Sequence, residues 1–292
     1  SKKYIPDSSL IYKLIGEFQN MRAGNNDWMQ AREFQAETYG YDKYLGGCHM
    51  IPNHAIIILS LLFGDDDLQK TLMIVNTAGH DTDCNSGNVG CIMGIKNGLE
   101  GLRNGPDYLT PIQDRMYCPT ANGGETQTDA LTEAYKVINT ARRMNKEEIV
   151  EPKNGSRFHF EMPGSVQGWR SSFKNNKNIS TIVQNTEYES NIGKRALEIK
   201  FDRVAPGVCS EAVVDTFFPQ ELYELTGSAR ERFFQSYNFI SCPLLYSGQN
   251  IESEIIFKSD SQKPITVTCF INVFGEEDNY ERMNSESVVL FP

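Results

Sequence analysis

Apolar residues recur at three- and four-residue steps through the first half of the chain and alternate with polar ones through much of the second. Leu10, Ile11, Leu14, Ile15 and Phe18 fall on one face of a helix that follows Pro6-Asp7. Asp27 is placed to cap a helix that reaches Gly40. Between Asn53, read as its opening residue, and Gly64 lies a segment too apolar for a surface position, so it is predicted at the centre of a bundle. Asp65 to Asp67 form a solvated start for the next helix, with Leu68, Leu72 and Val75 inward and Gly79 as its terminator. A further amphipathic helix is predicted from Asp129 to Arg143, and the signals from Asp7 to Arg143 are helical throughout.

The period then changes. Residues 145–156 are charged, carry Pro152 and Asn154-Gly155, and read as a linker. Beyond it Leu197, Ile199 and Phe201 alternate with Glu198 and Lys200, and Ile265, Val267, Cys269, Ile271 and Val273 alternate with polar neighbours. Such strands, separated by Gly, Pro, Asn and Ser clusters, predict an antiparallel β-sandwich, with Lys174–Asn178 as a loop. The expected fold is thus α + β in separate domains: helices over 1–144, a linker over 145–156, and a β-sandwich over 157–292.

A length of 292 residues agrees with two domains, each with its own core. The longest apolar run, Ala55 to Phe63, is too short for a membrane span and is broken by Ser60. The net charge of −10 divides evenly between the halves, and neither half carries the basic patch that a nucleic-acid partner requires. An anionic small-molecule substrate therefore relies on local metal ions and helix N-termini rather than on the overall field. The seven cysteines form no Cys-x-x-Cys pair, which argues against zinc and thioredoxin-like sites, and leave the compartment open. Cys91 and Cys269 sit among apolar neighbours and read as core residues.

The densest chemistry lies in residues 79–94. Asp81 and Asp83 are one residue apart, and carboxylates so close repel each other unless a cation lies beside them. Mg²⁺ suits such a pair, since it takes oxygen ligands and is held by one or two carboxylates plus water and substrate. A solvated helix start with Asp83 as cap accounts for the same spacing. Gly90, Gly94 and Gly98 recur every four residues, and glycine costs roughly 1 kcal/mol in a helix interior relative to alanine. Three such sites predict a closely approaching backbone, and hence an Asp-x-Asp pair facing a cleft from the buried N-terminus of a tightly packed helix.

The run Ala78-Gly79-His80-Asp81-Thr82-Asp83-Cys84-Asn85, followed by the glycine-spaced helix, resembles the C-terminal signature of the ADP-ribosylglycohydrolase family. Ile5-Pro6, Asp27-Trp28 and His49-Met50-Ile51-Pro52-Asn53 extend the resemblance over about residues 1–118. It implies an all-α domain with a two-magnesium centre that hydrolyses N- or O-glycosidic bonds at C1″ of ADP-ribose. The metal ligands it implies are Asp81, Asp83 and position 84, where Cys84 stands in place of the family's threonine. His80, Asn85 and Asn53 become candidates for binding substrate, although helix-end hydrogen bonds account for them equally. The family's N-terminal half, with its Gly-Asp-Ala motif and paired acidic residues, has no equivalent here. The chain is therefore expected to be the C-terminal half of that fold, completed by the missing half or by a second chain.

In the second half, Phe158 to Glu161, Gly168-Trp169 and Gly193 to Leu197 resemble the opening of carbohydrate-binding jelly-roll modules. Trp169, Tyr188 and Tyr237 are placed to stack on a glycan, or to serve as core and rim aromatics. Two function classes follow: a metal-dependent glycohydrolase, or a non-catalytic relative whose helical scaffold carries a glycan-binding sandwich.

Overall fold

The computed structural model describes residues 2–118, 123–172, 175, 180–202, 205–217, 225–236, 242–261, 263–276 and 280–292. Tyr237 and, except for Asn175, the Lys174–Asn178 segment lie outside the described residues. The chain divides into two compact units, Ser1–Cys242 and Pro243–Pro292, so the expected linker at 145–156 falls within the first.

Five helices open the first unit: α1 (Leu10–Ala23), α2 (Trp28–Tyr39), α3 (Met50–Phe63), α4 (Leu68–Thr77) and α5 (Thr82–Arg103). Each of the first four starts where a side chain can satisfy the orphan N–H groups of its first turn. Ser9 caps α1, Asp67 caps α4, and Asp27 caps α2 in a reciprocal box with Gln30. α3 begins earlier than the sequence suggests. Its cap is His49, whose Nδ1 accepts from Ile51 N–H at 3.1 Å, and Asn53 lies inside the first turn, where it is free to reach elsewhere.

α3 is central, as its all-round apolarity predicts. Ala55, Leu59 and Phe63 join Leu14, Ile15 and Phe18 of α1 and Ala31 and Tyr39 of α2 in one buried cluster. On the other side Ile56 packs with Leu68, Val75, Ala78, Val89 and Met93 of the α4–α5 region. At about 1.5–3 kcal/mol for each large apolar side chain buried, these two clusters are the chief stabilisation of the helical part. Acidic residues between α3 and α4 do more than face water. Asp65 pairs with Arg22 of α1 and Lys70 of α4, and Asp66 pairs with Lys96 of α5.

The helical pattern breaks at a point the periodicity did not reveal. β1 (Arg115–Tyr117) and β2 (Gln127–Asp129) form an antiparallel ladder just before α6 (Ala130–Met144). Asp129 ends β2 and caps α6, accepting from Thr132 N–H and Oγ1, both at 2.8 Å. Asp114 then fastens this region to the segment beyond 157: its Oδ2 accepts from Ser165 Oγ, Val166 N–H and Gln167 N–H at 2.6, 2.8 and 3.1 Å.

Beyond residue 157 the structure is mainly extended and antiparallel. β3 (Arg170–Ser171) pairs with β6 (Ala212–Val213), and β4 (Thr181–Glu187) with β5 (Arg195–Phe201). Asn175 ties these ladders together, its amide reaching Ser171, Thr181 and Glu211. A helix at Gly227–Ser236 interrupts the β region. In the second unit, β7 (Ile265–Val267) pairs with β10 (Val288–Leu290), and β8 (Phe270–Phe274) with β9 (Tyr280–Asn284). The alternation over 265–273 is therefore shared by two strands rather than one. Among the described residues every ladder has two strands and all are antiparallel.

Two packing expectations are overturned. Cys91 and Cys269 are exposed, not core. Among the described residues Gly90 and Gly94 do not meet a neighbouring backbone: a Cβ on Gly94 would meet nothing within 4 Å, and one on Gly90 only Leu72 Cδ2 at 3.7 Å. Gly98 has a different reason to be glycine. Its φ of +63° breaks the helix, a conformation that disfavours L side chains.

Candidate metal centre

The site is built on the turn between α4 and α5. Three successive residues, Gly79, His80 and Asp81, have left-handed φ values of 74°, 58° and 45°. For a residue with a Cβ that conformation costs about 1–2 kcal/mol, so His80 and Asp81 are held there by their surroundings. Arg32 of α2 reaches the Ala78 carbonyl through Nε and Gln35 Oε1 through Nη1 at 2.8 Å. Asn85, buried in the first turn of α5, gives its Nδ2 to the His80 carbonyl at 2.9 Å.

This turn sets Asp81 at the N-cap of α5, yet its side chain caps nothing. Its Oδ2 instead accepts from Asn53 Nδ2 at 2.5 Å, and Asn53 Oδ1 in turn accepts from the Tyr41 hydroxyl. The His80 ring stands edge-on to Tyr41, with centroids 4.3 Å apart. Burial, with a smaller contribution from Arg32, pushes the His80 imidazole below its ordinary value. Burial and the charge of Asp81 raise the Tyr41 phenol.

Asp81, Asp83 and Cys84 offer ligand atoms that all lie within 4.8 Å of one another. Asp81 is half-buried while Asp83 and Cys84 are exposed, so the expected cleft is corrected to a rim open to solvent. A hydrogen bond to the Asp81 carboxylate, and then its charge, drives the Cys84 thiol above its ordinary value. That keeps it a protonated donor. The two carboxylates suit a hard cation such as Mg²⁺, whereas a neutral thiol is a poor ligand for one.

Of the sequence candidates, then, Asp81, Asp83, Cys84, Asn53, His80 and Asn85 converge on one turn. In this structure Asn85 is spent on the backbone and Asn53 on Asp81. Arg32 and Tyr41 were not singled out from sequence, because one is an ordinary helix-surface residue type and the other lies in a turn. Trp169 belongs to a separate place in the fold: half-buried, it packs edge-on against Phe158 at 5.7 Å, and among the described residues its Nε1 has no partner. Tyr188 is half-buried beside β5, its N–H bonded to Lys194 O at 2.9 Å. Among the described residues no helix is long and apolar enough to cross a membrane. Comparisons with protein-family models, curated proteins and solved structures gave no match.

Proposed function

We propose that this chain is part of a metal-dependent glycohydrolase of the ADP-ribosylglycohydrolase type, acting on a glycosidic bond of ADP-ribose or a related ribosyl substrate. The observation that carries the reading is the convergence of the Asp81, Asp83 and Cys84 ligand atoms within 4.8 Å on a strained turn. Asp81 and Asp83 would hold Mg²⁺, with water, substrate oxygens or further protein ligands filling the octahedron. When bound, the ion supplies positive charge that orients ribose hydroxyls and polarises water. The chain's own residues prepare that place: Asn53 fixes the Asp81 carboxylate, and Arg32 and Asn85 hold the turn. His80, depressed toward its neutral form, presents an uncharged ring at the edge of the site. The test is Mg²⁺-dependent release of ADP-ribose from an N- or O-linked conjugate by the natural full-length protein. Release is expected to be lost in Asp81→Asn and Asp83→Asn; release that survives both substitutions rules the reading out.

One observation favours a second role for the β region as a jelly-roll-like, carbohydrate-binding sandwich. Among the described residues Trp169 Nε1 is buried without an acceptor, and a sugar hydroxyl would provide one. Quenching of tryptophan fluorescence by oligosaccharides, lost in Trp169→Phe, is the expected signature; unchanged fluorescence counts against it.

A further inference from the structure

A small polar cavity lies against the β1–β2 ladder, remote in sequence from the metal turn, with Arg115, Gln127, Arg157, Phe158 and Asp215 among its walls. Its donors outnumber its available acceptors. Gln127 is only 7% exposed, and its buried Nε2 has no hydrogen-bond partner among the described residues. An unsatisfied buried amide costs about 1–3 kcal/mol, so a protein retains one where something else completes it. Arg115 uses Nε on the Ile112 carbonyl at 3.2 Å, but among the described residues neither Nη atom has an acceptor within hydrogen-bond range. Its approach to Asp215 is an ion pair at 3.9 Å.

Asp215, the acidic group on the wall, is already neutralised. Arg170 holds it with two bonds of 2.9 and 3.0 Å, the paired geometry in which a guanidinium matches a carboxylate. Arg157 donates to Thr132 Oγ1 at 3.1 Å and to the Gln127 carbonyl at 3.3 Å, leaving its positive charge beside the cavity, 3.8 Å from Asp129. The balance is a site with two cationic forks, a free amide donor and no unpaired acid. Phe158 gives it an apolar side.

We propose that this cavity binds a small carboxylate, its oxygens received by the Arg115 guanidinium and the Gln127 amide. A planar, two-oxygen group fits a planar fork better than chloride or a tetrahedral anion does. Asp215, held by Arg170, shows the same pairing already made once in the same wall.

The thermal midpoint of the protein is compared in sodium acetate, chloride and phosphate at equal ionic strength and pH 7. Acetate is expected to raise it saturably, by roughly 2–3 °C at ten times its dissociation constant, and chloride and phosphate are expected not to. Arg115→Gln is expected to abolish the rise. Gln127→Glu supplies a carboxylate from within, so it is expected to raise the midpoint without acetate and to leave no acetate response. This second variant decides the matter should Arg115→Gln not fold. An equal rise with chloride or phosphate, no rise at all, or an acetate response that survives in Gln127→Glu overturns the proposal and assigns the cavity to water.

Discussion

Asn53 Nδ2 donates to Asp81 Oδ2 at 2.5 Å, joining the first turn of the central helix α3 to the N-cap of α5 across 28 residues of sequence. The bond withdraws Asp81 from the capping role its position invites and aims its carboxylate toward Asp83 and Cys84. Groups that orient a ligand typically matter about 10–100-fold for metal affinity. Asn53→Leu is therefore expected to weaken Mg²⁺ binding by about that factor while the fold survives. Calorimetric titration of this variant checks it, and unchanged affinity would make the bond structural only.

The glycines around this turn divide by backbone conformation, and the division is measurable. Gly79, at φ +74°, is expected to lose about 1–2 kcal/mol of stability on substitution by alanine. Gly94, inside α5 with open space where a Cβ would go, is expected to gain about 1 kcal/mol from the same change. Urea unfolding of the two variants gives both signs. A destabilised Gly94→Ala would restore the close helix contact that the spacing of the glycines suggested.

Acid should weaken the protein through His159. Burial holds this imidazole below its ordinary value, against the opposing pull of Asp129 and Glu161. Its Nδ1 accepts from Glu161 N–H at 3.1 Å, a bond that needs an unprotonated nitrogen. A base whose folded pKa is depressed contributes fully above its unfolded value, near 6.5, and loses that contribution as pH falls toward the folded value. The urea midpoint is expected to drop between pH 7.5 and 5.5, and to drop less in His159→Gln. Equal drops in both proteins would place the acid sensitivity elsewhere.

Cys84 offers a chemical substitution at the metal turn. Threonine there replaces a neutral thiol, hydrogen-bonded to Asp81, with a hard hydroxyl oxygen. Cys84→Thr is expected to tighten Mg²⁺ binding by roughly tenfold, with stability within about 0.5 kcal/mol because the residue is exposed. Unchanged binding in the titration would mean that position 84 does not touch the ion.

How far the sequence exposed this structure depended on the physics behind each signal. Periodic apolar faces and capping side chains are local, so α1, α2, α4 and α6 and the central place of α3 were legible from residues such as Phe18, Asp27, Asp67 and Asp129. The β1–β2 ladder was not, because three-residue strands carry too few positions to show alternation. The glycines misled because one residue type serves several ends: at 98 it allows a helix break, and at 94 no contact requires it. Asp81, Asp83 and Cys84 were visible as near-adjacent letters, whereas Arg32 of α2, Tyr41 of the turn after it and the pairing of Asn53 with Asp81 needed the fold. Gln127 was invisible for the same reason, since an unpaired amide is a property of surroundings rather than of sequence.

On the function proposed above, Asp81 and Asp83 together hold a divalent cation. This role is tested most directly by calorimetric Mg²⁺ titration of the full-length protein beside Asp81→Ala and Asp83→Ala, with circular dichroism to confirm that all three are folded. Saturable binding is expected in the parent, with a loss of at least about tenfold in each variant. Equal binding in all three, or none in the parent, would contradict this role and leave Asp81 and Asp83 as parts of a helix start.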